Sequence, residues 1–315
     1  MSIQEWSTTE VFPGSDQALE LELVRATEAA AIAAGRGVGS DRWSSDRAAA
    51  TVAMHEHLMS VPMRGTVVVG AGENDADTSV LCTGDSVGRG DGALYDLGVG
   101  VGDGALSPAE DVPNSVAAIV LAERGALYAP PPSVAMKKLA VGADCADVVD
   151  ITQPVATNLR AVAAVKGVRV ADLVVAVLNR SWHRELVNQI RAAGARVHML
   201  EGGDIAGAIA TACPESSIDM LMGTGGAAEG VIAAAALSCL GGSLQVRLRS
   251  EGPSTILHTG DLVRGGRVLF CATGVTTSEF LRGVQRISGL TITQSMVLCS
   301  QPDTARLIRS EHRFA

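Results

Sequence analysis

Glu229 stands three residues after the glycine run Gly223-Thr-Gly-Gly226, where the apolar pattern Ser217-Ile-Asp-Met-Leu-Met222 gives way to the alanine-rich helical pattern of residues 227–240. A glycine turn between a strand and a helix presents backbone N–H groups at the positive end of the helix dipole, a natural seat for an anion. A first-turn carboxylate there either caps the helix or holds a cation beside a bound phosphate. Gly225 and Gly226 are the candidate backbone donors. Two more loops follow apolar runs of the same kind, Asn179-Arg-Ser-Trp-His183 and Glu201-Gly-Gly-Asp204. Arg180 supplies a cation, Gly203 and Asp204 supply partners for hydroxyl groups, and Trp182 offers a ring that can stack on a sugar or a base, with His183 beside it. These are the parts of a sugar-phosphate site. A dinucleotide site fits poorly, because the glycine run comes late in the chain and no βαβ unit with an acidic ribose ligand follows it.

The elements that must position these loops follow from the rhythm of the chain. From about Thr152 helices at 156–165, 184–193 and 205–212 alternate with strands at 173–178, 197–200 and 217–222. Such spacing predicts parallel strands with right-handed crossovers, so all three loops lie along one carboxyl edge, where open α/β sheets bind ligands. The first half reads as two helices, the first ending near Ala34 and the second running from 44–46 to Leu58. Strands follow at 66–70, 80–83, 95–101, 115–121 and 137–141. After Gly241 strands return at 243–248, 267–272 and 291–299, with a helix near 278–284. The fold class expected is layered α/β, with a mixed sheet in the N-terminal half and a parallel-rich sheet in the C-terminal half. The corresponding subdomains are 1–150 and 151–315.

Composition sets the outer bounds. No apolar run among the 315 residues approaches the roughly 18 needed to span a membrane. The formal net charge of -9 argues against nucleic acid or anionic membrane as partner, though not against a small phosphorylated ligand. The start Met1-Ser-Ile-Gln-Glu-Trp6 has neither a basic nor an apolar leader region, and the six scattered cysteines form no Cys-x-x-Cys pair, so a cytoplasmic protein with free thiols is expected. His55 and His57, two apart on a helix, do not face each other and share no metal.

The segments Arg25-Ala-Thr-Glu-Ala-Ala30, Gly35-Arg-Gly37, Asp46-Arg-Ala-Ala-Ala50, Gly65-Thr-Val-Val-Val-Gly70, Gly223-Thr-Gly-Gly-Ala-Ala-Glu-Gly-Val231 and Ala272-Thr-Gly-Val-Thr276 resemble, in order and over almost the whole chain, the class II fructose-1,6-bisphosphatases. The resemblance implies the lithium-sensitive sugar and inositol phosphatase fold, with layers alternating α-β-α-β-α. It also implies Mg²⁺ or Mn²⁺ as cofactor, a phosphorylated sugar as ligand, and a homodimer or homotetramer. By the same resemblance Asp46, Asp103 and Glu229 match metal-site positions, and Glu73 joins them as a catalytic carboxylate.

The chain departs from that pattern where the cation would be held. The family's Glu-Gly-Glu loop is Ala71-Gly72-Glu73, and its Asp-Pro-Ile-Glu-Gly-Thr motif is Gly100-Val-Gly-Asp-Gly-Ala105. A carboxylate is lost at Ala71 and another at Gly100, the glutamate is shortened to Asp103, and the threonine that positions water is Ala105. Gly104 keeps the motif's glycine as a substrate contact. On the substrate side a tyrosine beside the family's Met-Glu-Lys-Leu segment aligns with Ala135, and a Lys-Pro-Arg-His loop becomes Arg180-Ser-Trp-His183. Hard divalent ions need several oxygen donors, so each lost carboxylate weakens the site. The expectation is a phosphorylated-sugar protein that hydrolyses its ligand with an altered metal site; alternatives are a repurposed non-hydrolytic enzyme and a catalytically inactive, ligand-binding homologue.

Overall fold

The computed structural model describes residues 15–36, 38, 43–71, 79–102, 112–131, 134–248 and 255–313, with side chains in the first two helices from residues 18 and 47 onward. In chain order α1 (Ser15–Ala34) and α2 (Trp43–Met59) precede β1 (Arg64–Val69), β2 (Ser86–Val87), β3 (Leu94–Val101), β4 (Val116–Glu123) and β5 (Ala135–Val141). Then come α3 (Val155–Lys166), β6 (Val174–Leu178), α4 (Arg184–Ala192), β7 (Arg196–Leu200), α5 (Asp204–Ala210), β8 (Met220–Gly226) and α6 (Ala227–Cys239). The chain closes with β9 (Ser243–Leu248), β10 (Ile256–His258), α7 (Thr259–Leu262), β11 (Val268–Gly274), β12 (Gln285–Ile287), β13 (Leu290–Ser300) and β14 (Asp303–Arg313).

The strands form two mixed sheets. One is ordered β12-β13-β11-β4-β3-β1-β2, with β14 also paired to β13; the other is β10-β9-β5-β8-β6-β7, parallel only across β8-β6-β7. The chain enters the second sheet at β5 and returns to the first at β11, so each sheet draws on both halves of the sequence. Three apolar clusters fill the spaces. Leu23, Ala30 and Met54 of α1 and α2 pack on Leu97, Ile119 and Cys271 of the first sheet. Ile205, Ile209, Ile232 and Ala236 of α5 and α6 fill the gap between the two sheets. Leu159, Val162 and Ile190 of α3 and α4 cover the far face of the second. The layers are therefore α-β-α-β-α. Alanines let the middle helices lie close to both sheets, since α6 is buried on nearly every side.

Three expected elements differ. Residues 80–83 are not a strand: Leu81 takes φ 58°, and its carbonyl accepts from the Ala71 amide to close a loop. No helix forms at 278–284, where Ser278 Oγ accepts from Leu281 N–H and Gly283 lies so close to Thr276 that a Cβ would clash. The run 223–226 is not a turn but the end of β8, in register with β5, and α6 starts directly at Ala227 with Gly226 as its N-cap. No helix among the described residues is long and apolar enough to cross a membrane.

Candidate functional site at the carboxyl edge of the second sheet

β6 is flanked by β7 on one side and β8 on the other. The β6-to-β7 crossover runs through α4 on the outer face, whereas β7 returns to β8 through α5 in the middle layer. The chain thus leaves β6 and β7 toward opposite faces of the sheet, a switch point at whose carboxyl end such sheets bind ligands in a crevice. Backbone pairing between β6 and β8 is confined to Val175 with Met220 and Ala176 with Leu221, after which the strands part. His183 fills the parting. Its Nε2 accepts from the Thr224 N–H at 2.8 Å, so Nδ1 carries the proton and donates to the Leu178 carbonyl at 2.8 Å. The neutral imidazole replaces a ladder hydrogen bond, and the residue is only 3 % exposed. His183 is thus placed to hold the crevice open, with both nitrogens spent inside the protein.

The loops around it are tied together. Asn179 Nδ2 donates to Glu201 Oε1 at 2.8 Å, and Arg180 Nη1 donates to the carbonyls of Asn179 and Glu201 at 2.8 and 3.0 Å. Trp182 is 64 % exposed and makes a T-shaped contact with the His183 ring, 5.8 Å between centroids.

Beneath the crevice lies a buried ion pair. Lys138 Nζ is bonded to Asp204 Oδ2, with the lysine 2 % exposed. Both sit against Gly225, where a Cβ would run into the Asp204 carboxylate and come within 3.3 Å of Nζ. Gly203, at φ 82°, presses on Asn114, the residue that leads back into β4. Asp204, Gly203 and Gly225 therefore join the first sheet's β3–β4 connection to the second sheet's edge. Lys138 and Asn114 were not picked out from the sequence. A lysine on the inward-facing alternation of Ala135-Met-Lys-Lys-Leu-Ala-Val141 is the signal that could have found the first.

Gly226 is exposed, and the Glu229 carboxylate folds back over it so closely that no Cβ would fit. One turn further along α6, Ile232 meets the first sheet: a Cβ at Gly100 would lie 3.3 Å from Ile232 Cδ1 and 3.5 Å from Ile205 Cδ1. The end of β3 and the start of α6 are thereby brought face to face. Compared with known proteins, residues 17–312 match the family described as bacterial fructose-1,6-bisphosphatase, glpX-encoded. This chain belongs to the class II fructose-1,6-bisphosphatase family. It is 34% identical to a D-fructose 1,6-bisphosphatase class 2/sedoheptulose 1,7-bisphosphatase of Synechocystis and 33% identical to a fructose-1,6-bisphosphatase class 2 of Haemophilus influenzae. Each match covers 94% of this chain and 96% of the relative.

Within that family frame the positions read as cation donors fall unevenly. Glu73, Asp103, Gly104 and Ala105 lie outside the described residues, and so does the side chain of Asp46, whose backbone is in the first turn of α2. Glu229 is half-buried in the first turn of α6. Ala71 is buried in the apolar layer under the first helices, and the space in front of Gly100 is lined by two isoleucine methyls. Among the described residues no group of three or more His, Cys, Asp or Glu could hold a metal ion. A hard divalent cation wants several oxygens, and the side chains at positions 71 and 100 offer none.

Proposed function

We propose that this chain binds a phosphorylated sugar in the crevice between β6 and β8, as a family member whose cation-holding half is altered, so that hydrolysis is weakened relative to binding. The contrast along α6 carries the reading. Its first turn keeps Glu229 beside Gly225, Gly226 and the Lys138–Asp204 pair, while one turn on Ile232 closes against Gly100. In this reading Arg180 and the Gly226 backbone amide meet the phosphate, helped by the α6 dipole. Trp182 stacks on the sugar, and Glu229 swings off Gly226 when the ligand enters. The relatives' names supply the ligands to try first, fructose 1,6-bisphosphate and sedoheptulose 1,7-bisphosphate. The apolar contact at Gly100 also favours a second reading, a ligand-binding homologue without turnover.

The test measures phosphate release from both sugars with Mg²⁺ or Mn²⁺, beside calorimetric binding of the same sugars. The wild type is compared with Ala71→Glu/Gly100→Asp/Ala105→Thr. Binding with slow release that the triple variant speeds supports the proposal, and binding with no release at all supports the second reading. Fast release unchanged in the triple variant would sink the altered-site claim, and absence of binding would sink the crevice.

A further inference from the structure

The outer face of the second sheet carries two cations side by side, with no acid between them among the described residues. Lys137 of β5 lies directly opposite Arg247 of β9 on one flank and Thr224 of β8 on the other. Residues opposite one another in paired strands share a face. Leu139 and Val141 share that face of β5 and pack toward α3 and α4, so Lys137 and Arg247 point away from the buried Lys138, which faces α6 at Gly230. Both cations are half-buried. Neither has a hydrogen-bond or ion-pair partner among the described residues, and Arg247 Nε is shielded from solvent with nothing to donate to.

Like charges directly opposite each other weaken a strand pair, and a buried N–H without an acceptor weakens it further. Two such costs at one spot mark a place shaped for something the described residues do not provide. We propose that Lys137, Arg247 and the Thr224 hydroxyl form an anion site for a phosphate group, beside the crevice and distinct from it. A phosphate offers charge to match two cations and oxygens enough for an ammonium, a guanidinium edge and a hydroxyl at once. Burial first, and Arg247 second, hold the Lys137 ammonium below its usual pKa, a burden that a bound anion lifts. Thr224 links the site to the crevice, because its own amide is the one His183 holds. The phosphate has two sources: free in solution, or a second phosphoryl group on a sugar seated in the crevice. The first stands without the crevice reading; the second rests on it.

Thermal unfolding of the full chain at low salt, titrated with inorganic phosphate, tests the first source. Wild type melts higher as phosphate rises, and Lys137→Gln or Arg247→Gln each weaken the apparent affinity about tenfold or more, as loss of one charge-assisted hydrogen bond requires. Lys137→Glu gives Arg247 an internal partner. It therefore melts higher than wild type without phosphate and ceases to respond to it. Calorimetry with fructose 1,6-bisphosphate and fructose 6-phosphate tests the second source: the preference for the bisphosphate disappears in Lys137→Glu, while fructose 6-phosphate still binds. A Lys137→Glu protein that answers phosphate and bisphosphate as wild type does would overturn the site, and so would a wild type that responds to neither. Absence of fructose 6-phosphate binding in wild type, with the phosphate response intact, removes the crevice reading and leaves this site standing.

Discussion

His183 shows how one side chain can set the geometry of an edge. Replacing it with Ala strands the Thr224 amide and the Leu178 carbonyl in a buried place and leaves a void, so urea unfolding should show a loss of about 2–4 kcal/mol. Amide exchange at Thr224 should quicken far more than at Met220, which keeps its strand partners. Equal quickening at both would assign the loss to general packing. Lys138 gives a second expectation. Lys138→Met leaves the Asp204 carboxylate buried without its partner and should cost about 3–5 kcal/mol, whereas Lys138→Met with Asp204→Leu should recover most of it. A double variant as unstable as the single one would show that the pair holds the fold itself. The residues of this edge were legible as a set, because glycines, a cation and an acid after three successive strands announce a carboxyl edge. Their division of labour was not. Whether Asp204 faces a ligand or Lys138, and whether His183 contacts solvent or two backbones, depends on how far β6 and β8 separate, and strand divergence leaves no mark in local composition.

At the scale of elements, the run from β6 to α6 was readable because alternating helical and strand periods leave little freedom, whereas β14 was missed. Its exposed face carries Arg309, Glu311 and Arg313, and a strand that covers little core lacks the apolar alternation by which strands are recognised. What fastens β14 is polar. Arg306 reaches Glu20 on α1 at 2.9 Å. Eight residues along the same helix the buried Glu28 accepts from Thr293 Oγ1 at 3.0 Å, and Thr293 in turn meets His312 Nε2 at 2.9 Å. Since the threonine proton goes to Glu28, His312 must donate from Nε2. Thr293→Val keeps the shape and removes the bridge. Stability should fall by about 1–3 kcal/mol, the cost of an unsatisfied buried acceptor, and amide protection should drop along β14 before β11. Loss spread evenly over the first sheet would mean that the hydroxyl does not fasten this strand in particular.

The three apolar layers of the whole molecule share one titration. Burial is the leading cause that pushes the thiols of Cys145 and Cys213 up to about 11 and those of Cys239 and Cys271 up to about 12, from an ordinary value of 9.0. Cys145 lies in the outer cluster, Cys239 between the sheets, and Cys271 under α1, so the effect samples every layer. In this pH range the folded chain keeps protons that the unfolded chain releases. Stability is therefore complete below about pH 9 and falls as pH rises from there toward the folded values. Lys137 has the opposite sign: its folded pKa is lowered, so its contribution improves as pH climbs toward 10.5. Four thiols outweigh one half-buried amine, and the net slope is downward. Reversible urea unfolding in reducing buffer from pH 7.5 to 10.5 should be flat at first and then decline. Cys271→Ala should shallow the decline, and Lys137→Gln should steepen it. A decline that Cys271→Ala leaves untouched would show that the buried thiols do not set the alkaline limit, and that the layers loosen before their cysteines ionise.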